Sequence, residues 1–192
     1  MKIHDISQEV FGSKTYPGDP TPEKQEVLRK KHGDKCNLTS FSMCCHNATH
    51  VDAPYHFIDR GKTVGEIPLE KFMGRCAVID MEQRTLEEIE NCLRNGIRKI
   101  LLKGEFELTV ETAERIAEAG IDLIGVENCT VGNEKTGPYI HEILLEKETV
   151  ILEGILLRQI EEGEYFLCAQ PVNLGQVDGA PCRAVLVEDI SY

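Results

Sequence analysis

The sequence lacks three features that would place a protein in a familiar class. No apolar run approaches the roughly 18 residues of a membrane-spanning helix, so we expect no membrane association. No two cysteines have the C-x-x-C spacing of zinc ribbons and thiol–disulfide enzymes. Basic side chains are scarce: 21 Lys and Arg stand against 33 Asp and Glu, for a net charge of -12. Because phosphate binding requires clustered basic residues, we expect no nucleic-acid partner.

The N-terminal residues also predict a location. The N-terminal MKIHDISQEVF reaches Asp5 before an apolar segment develops, so we expect no signal peptide and a cytoplasmic location. In that compartment the eight cysteines are not expected to form disulfides. Five of them lie in apolar-patterned segments and are interpreted as small core residues: Cys76, Cys92, Cys129, Cys168 and Cys182.

The 192 residues are enough for one domain with a sizeable core, spanning 1–192. The first half is rich in turns, with a short strand at 2–7. Alternating apolar and polar residues from Leu38 to Cys45 predict a half-buried strand, with Phe41 and Met43 on its apolar face.

The second half alternates strand and helix patterns. Such alternation predicts βα units and a partly parallel sheet. The fold class is therefore α/β: a mixed sheet with βα units in the second half and extra N-terminal strands. The predicted strands cover 75–81, 97–103, 121–127, 149–155, 164–172 and 182–190, and the predicted helices cover 85–96, 109–120 and 137–148.

Half of the six histidines lie in one segment, CCHNATHVDAPYHF, at 44–57. His46, His50, Asp52 and His56 have the spacing H-x3-H-x-D-x3-H, and all share one face of an extended strand. Residues two apart on such a face are about 6.5 to 7 Å apart, so His50 and Asp52 could bind one metal ion. His46 would lie about 13 Å from His50 on a straight strand, so sharing that ion requires a bend at 47–48. Imidazole and carboxylate together favour zinc, manganese or iron over magnesium or calcium.

Residues 46–57 resemble the H-x-G-T-H-x-D-x-P-x-H signature of the metal-dependent cyclase-like hydrolases. That family includes bacterial kynurenine formamidase and isatin hydrolase. Further segments resemble other family motifs in the same order along nearly the whole chain: DIS at 5–7, YPGDP at 16–20, IGVENCTV at 124–131, IHEILLEKETVILEGI at 140–155 and DGAPCRAV at 178–185.

The resemblance implies a swivelling β/β/α-like fold and a site for two divalent ions, with zinc as first candidate and manganese as second. It assigns His46, His50 and Asp52 to the first ion, with Asp52 also reaching the second. It assigns His141 to the second ion and Glu153 to both. From the residues alone, His141 on an amphipathic helix is expected to be exposed. Glu153 follows an apolar strand, where a carboxylate needs a partner.

The resemblance also implies a reaction. A metal-activated hydroxide would cleave a C–N bond of a small amide, either an N-formyl arylamine or a cyclic amide. His56 would act as general acid and base, and Tyr16 would contact the substrate. The family further implies a homodimer or homotetramer.

Four positions depart from the family pattern. Ala48 replaces a glycine, Glu127 replaces an aspartate, and Cys129 or Thr130 stands for a serine. Tyr16 occupies the position where kynurenine formamidases usually carry tryptophan, and this chain has no tryptophan. The last departure weakens the specific formamidase assignment while leaving the hydrolase interpretation intact.

Two alternatives belong to other classes of function. One is an enzyme in which Cys44 or Cys45 is the nucleophile and a nearby histidine is the base. That alternative leaves the spacing of Asp52 and His56 unexplained. The other is a metal-binding or interaction protein of the same fold without catalysis.

Overall fold

The computed structural model describes residues 1–81, 89, 91–92, 94–104 and 106–188. They form a nine-stranded mixed sheet and a separate two-stranded hairpin, which confirms the predicted α/β class. No helix in these ranges has the length and apolar character needed to cross a membrane. The strands are β1 (Lys2–Asp5), β2 (Glu23–Leu28), β3 (Leu38–Ser42), β4 (His50–Asp52), β5 (Met73–Asp80), β6 (Lys99–Lys103), β7 (Leu123–Val126), β8 (Val150–Glu153), β9 (Gly163–Cys168), β10 (Gly179–Pro181) and β11 (Val185–Glu188); the helices are α1 (Val110–Glu118) and α2 (Gly137–Glu146).

The sheet has the strand order β1-β11-β9-β5-β6-β7-β8-β4-β10. Strands β5 to β8 are parallel neighbours in chain order, as the predicted βα units require. The remaining pairs are antiparallel, including β4 beside β8 and β10 beside β4. Half of the predicted helix at 85–96 lies outside the described residues, and within it residues 89, 91–92 and 94 are helical.

The central strands are buried on both faces. Ile100 and Leu102 of β6 pack on the side of the sheet covered by α1 and α2, whereas Leu101 belongs to the core on the opposite side. Such a strand reads as a continuous apolar run because neither face meets water. Of the five cysteines interpreted as core residues, Cys76 is buried and the other four are partly exposed.

Both described helices begin where the sequence predicts. The Thr109 hydroxyl caps α1 by accepting a hydrogen bond from the Thr112 amide at 3.1 Å. Pro138 lies in the first turn of α2, where a backbone amide has no intrahelical acceptor, so its missing amide hydrogen costs no hydrogen bond. Gly120 follows α1 with φ of 71°, a left-handed conformation that glycine adopts readily.

The strand predicted from Leu38 to Cys45 is present over Leu38–Ser42, but the prediction that it is half-buried is wrong. Strand β3 ends at Ser42, and all five of its residues are exposed. Among the described strands it pairs with β2 alone, and neither of its faces is buried in the core. Cys44 and Cys45 follow the end of β3 on the path to β4, so they do not belong to a strand.

Candidate metal centre and active site

The site lies where β4, the end of β8 and helix α2 meet. Strand β4 pairs antiparallel with β8, so that His50 stands directly opposite Glu153 and the two side chains share a face. Asp52 shares that face because it lies two residues after His50. Helix α2 packs nearby and brings His141 to the same place. The four side chains are buried, including that of His141, which the sequence pattern alone predicts to be exposed.

A sharp bend returns His46 to this group. Ala48 adopts the left-handed conformation with φ of 58°, at the position where the family signature has glycine. The bend places His46 Nδ1 2.8 Å from Asp52 Oδ1. The bend predicted at 47–48 is therefore confirmed. The chain turns again after β4, in a short 3-10 helix over Pro54–His56.

The imidazoles of His50 and His141 are oriented in the same way. His50 Nδ1 lies 3.0 Å from the Ala48 carbonyl oxygen, and His141 Nδ1 lies 2.7 Å from the Gly137 carbonyl oxygen. Each carbonyl can only accept, so each Nδ1 donates its hydrogen and the ring turns its Nε2 toward the carboxylates. Metal-binding histidines are typically fixed by such a second hydrogen bond.

The spacing of the facing atoms suits a metal ion. His50 Nε2 lies 3.4 Å from Asp52 Oδ1 and 3.4 Å from Glu153 Oε2. His141 Nε2 lies 3.5 Å from Asp52 Oδ2 and 3.4 Å from Glu153 Oε1. Tetrahedral ligands at about 2.0 to 2.1 Å from zinc are roughly 3.3 to 3.4 Å from each other. The donor set therefore fits a divalent ion in both its chemistry and its spacing.

Two of these buried atoms have no hydrogen-bond partner among the described residues, His50 Nε2 and Asp52 Oδ2. Asp52 is 0% exposed and His50 is 1% exposed, so water does not compensate them from the surface. An unpaired buried polar atom costs free energy, and most such atoms in proteins are satisfied. A cation between the carboxylates and the imidazoles would satisfy both.

The carboxylates make the cluster strongly attractive to positive charge. Burial lowers the pKa of His141, but Asp52 and Glu153 outweigh it and raise that pKa to about 10. Burial likewise lowers the pKa of His50, yet the same two carboxylates bring it well above the ordinary value. For Asp52, burial raises the pKa, and the three neighbouring histidines more than reverse that effect.

Two groups of side chains have the spacing of metal ligands. His50, Asp52 and Glu153 form one group, and His46, Asp52 and His56 form the other, each with donor atoms within 4.8 Å of one another. Asp52 belongs to both groups. His56, expected to carry protons, therefore lies within reach of the same atoms as the expected ligand His46.

His56 is the outermost of the clustered histidines. Its ring stacks on His46 with centroids 4.0 Å apart and an interplanar angle of 24°. Burial lowers the pKa of His56 below its ordinary value. The imidazole is consequently neutral near pH 7, the form that can accept a proton.

Asp178 is a site residue that the sequence analysis did not identify. Its Oδ2 lies 2.8 Å from His46 Nε2 and 3.5 Å from His56 Nδ1. The residue begins the DGAPCRAV segment, and β10 starts directly after it. That segment, matched to a family motif, was the available signal. The register of β10 against β4 was needed to place the carboxylate beside the histidines.

A cavity of about 240 Å³ opens onto these groups, and Tyr16 lies on its wall. Cys44 and Cys45 are not among its lining residues, and burial raises the pKa of Cys45, which opposes a thiolate nucleophile. Further lining residues are Asp19, His46, His56, Phe57, Cys129, Thr130, Asn133, Glu134, Gly137, Pro138, His141 and Glu153.

Comparison with known proteins gives one family. The model of the family described as "Putative cyclase" matches residues 4–133. Kynurenine formamidase from Bacillus cereus is 33% identical over 200 residues, which cover 95% of each chain.

Solved structures share the fold over nearly the whole chain. A structure described as a potential metal-dependent hydrolase with cyclase activity is 25% identical, with a TM-score of 0.80 and 96% of each chain covered. An isatin hydrolase bound to thioisatinate is 16% identical, with a TM-score of 0.81, over 98% of this chain and 93% of the other. At 16% identity, the similarity to isatin hydrolase is evidence for a shared fold alone.

Proposed function

Because this chain belongs to the cyclase family, we propose that it is a metal-dependent hydrolase that cleaves a C–N bond of a small amide. The observation that carries the proposal is the buried set of two imidazoles and two carboxylates with metal-ligand spacing. The kynurenine formamidase relatives support an amide as the substrate, since their name describes removal of a formyl group from an amine.

The site would hold two divalent ions, for which zinc is the first candidate and manganese the second. His46, His50 and Asp52 would hold one ion; Asp52, His141 and Glu153 would hold the other, with Glu153 also reaching the first. Asp52 belongs to both groups of side chains with metal-ligand spacing, one with His46 and His56 and the other with His50 and Glu153, and this supports a shared carboxylate. Bound divalent ions lower the pKa of water to near neutrality and polarise a carbonyl oxygen.

The chain's own residues would supply proton transfer and substrate orientation. His56 lines the cavity and is neutral near pH 7, so it would take a proton from the attacking water and return it to the departing nitrogen. Tyr16, which also lines the cavity, would lie against the substrate. A tyrosine ring offers less stacking area than the tryptophan common in kynurenine formamidases. We therefore propose N-formyl arylamines or cyclic amides as the substrate class.

The test combines metal analysis with a small substrate panel. The purified protein is expected to contain about two divalent ions per chain. It should hydrolyse at least one of N-formylkynurenine, other N-formyl arylamines, isatin and simple cyclic imides. The His50→Ala variant should lose metal and turnover together, whereas His32→Ala, at an exposed histidine outside the site, should lose neither. Full activity in metal-free protein would refute the proposal.

Two further outcomes separate the alternatives. Full metal occupancy without turnover of any substrate would favour the metal-binding protein without catalysis. Replacing both Cys44 and Cys45 by alanine should leave turnover nearly unchanged, whereas a cysteine nucleophile would make that variant inactive.

A further inference from the structure

We propose that Asp178 is a positioning residue that fixes the imidazoles of both His46 and His56. The inference rests on the proposed function and deepens it, because it concerns how the ligand and the proton carrier are held. One carboxylate oxygen, Oδ2, faces both rings: it lies 2.8 Å from His46 Nε2 and 3.5 Å from His56 Nδ1. Neither contact follows from proximity in sequence, since Asp178 is more than 120 positions from both histidines.

The backbone around Asp178 is held in place by the sheet. The Ala53 amide donates a hydrogen bond to the Asp178 carbonyl oxygen at 2.9 Å, and Gly179 pairs with Asp52 in the ladder between β10 and β4. A ladder fixes the position of the Asp178 Cα relative to Asp52. The carboxylate therefore reaches the histidines from a rigid element, the arrangement that gives precise positioning.

Gly179 provides an independent indication that this strand is shaped around His46. A Cβ placed on Gly179 would lie 2.6 Å from His46 Cε1 and 2.9 Å from the Val51 carbonyl oxygen. These distances are too short for any side chain, so the His46 ring rests directly on the backbone of β10. The Asp178-Gly179 pair thus supplies both the surface under the ring and the acceptor for its Nε2.

The contacts select the tautomer of each histidine. Carboxylates face both nitrogens of His46 at 2.8 Å, Asp52 at Nδ1 and Asp178 at Nε2; when a cation replaces a proton at Nδ1, Asp178 holds the remaining hydrogen on Nε2. Asp178 Oδ2 lies farther from His56 Nδ1, at an ion-pair distance of 3.5 Å, and its negative charge favours the hydrogen of His56 on that nitrogen, which leaves Nε2 as the basic nitrogen. Because the two rings are stacked, an acceptor that orients one also restrains the other.

The first test uses the metal-loaded protein and the Asp178→Asn variant, which keeps the size of the side chain and removes its charge. Outer-shell partners of metal-bound histidines typically contribute about 10- to 100-fold to activity or metal affinity. We expect kcat to fall by about that factor while KM changes by less than about twofold. Asp178→Glu, which restores a carboxylate, should recover part of kcat. Asp59→Asn, with the same charge change at an exposed residue outside the site, should change neither parameter.

The second test does not depend on turnover. Long-range ¹H–¹⁵N NMR of the zinc-loaded protein reports which nitrogen of each imidazole carries hydrogen. Wild type should show His56 protonated on Nδ1 and His46 on Nε2, and Asp178→Asn should lose this preference for His56. If the Asn variant does not fold, as judged by circular dichroism, Asp178→Ser is measured instead.

The outcomes keep the two proposals apart. Unchanged tautomers in a folded Asp178→Asn variant would overturn the positioning role, whatever happens to kcat. A wild-type protein that binds zinc but turns over no amide would refute the proposed function. In that case the NMR comparison would still decide the role of Asp178.

Discussion

At the scale of single residues, the orientation of His141 leaves only its Nε2 free to bind a proton or a metal ion. Its Nδ1 is committed to the Gly137 carbonyl oxygen, so any additional proton must sit on Nε2, between Asp52 and Glu153. With a pKa of about 10, that proton is present at neutral pH in the metal-free protein. A metal ion that binds His141 Nε2 must therefore displace a proton.

Zinc affinity should consequently rise with pH. Between pH 6 and 8, each proton displaced by the ion makes the dissociation constant about tenfold lower per pH unit. With His141 and His50 both protonated, the expected dependence is about 10- to 100-fold per unit. Competition titrations against a chelator at pH 6, 7 and 8 measure this slope. A dissociation constant independent of pH would contradict the protonated state of the metal-free site.

The same proton gives the metal-free protein a specific dependence of stability on pH. Because the folded pKa of His141 is raised, its stabilising contribution is complete below the unfolded value of about 6.5 and is lost as pH rises toward 10. The melting temperature of metal-free protein should therefore decline over that range. The zinc-bound protein, in which the imidazole is neutral, should not show this decline.

At the scale of secondary-structure elements, Glu127 connects the loops that follow three neighbouring parallel strands. It follows β7, and its Oε2 accepts a hydrogen bond from the Gly104 amide at 2.8 Å. Its Oε1 accepts one from the Leu157 amide at 2.7 Å. The first amide follows β6 and the second follows β8, so one carboxylate joins the carboxyl ends of three parallel strands. The family's shorter aspartate is thus replaced by a residue that bridges two loops.

Glu127→Gln should destabilise the fold. The amide side chain retains one acceptor oxygen, so one of the two backbone amides loses its partner at a cost of about 1 to 3 kcal/mol. For a chain of this length, each kcal/mol lowers the melting temperature by about 2 to 4 °C. Urea unfolding measures the effect, with Glu142→Gln at an exposed position of α2 as the matched control. Equal unfolding midpoints for the two variants would refute the bridging role.

The sequence predicted these elements unevenly, for physical reasons. Strands such as β6 are buried on both faces, so their apolar runs are clear in the sequence. The alternation around Phe41 was misleading because an exposed hairpin can carry the same pattern as a half-buried strand. The bend at Ala48 could be predicted because a straight strand holds His46 too far from His50. Asp178 begins a segment matched to a family motif, but its place beside the histidines could not be predicted, since it depends on strand pairing across more than 120 residues.

At the scale of the whole molecule, the β2–β3 hairpin stands outside the nine-stranded sheet and exposes apolar side chains. Its strands pair only with each other, and Val27, Leu38 and Phe41 are exposed on it. An isolated two-stranded sheet is only marginally stable in water. Beside the hairpin, Phe11, Phe41, Met43 and Val172 line part of a groove of about 580 Å³. We propose that a second copy of the chain covers this surface in a homodimer or homotetramer.

Replacing apolar residues on the hairpin should then shift the protein toward monomer. The double variant Leu38→Ser/Phe41→Ser removes two exposed apolar side chains without changing charge. Light scattering coupled to size-exclusion chromatography should show a larger wild-type mass and a smaller variant mass. Leu69→Ser, at an exposed leucine outside both the hairpin and the groove, should keep the wild-type mass. A monomeric wild type would exclude the proposed assembly.

A metal ion bound between His50 and Glu153 would also affect how long the protein persists in a cell. The proposed ion would join β4, β8 and α2, so its binding free energy would add to the stability of the fold. Free zinc at 100 times its dissociation constant would contribute about 2.7 kcal/mol. Chains synthesised without metal would open more often and be degraded faster by proteases. The abundance of the protein would then follow the supply of its metal.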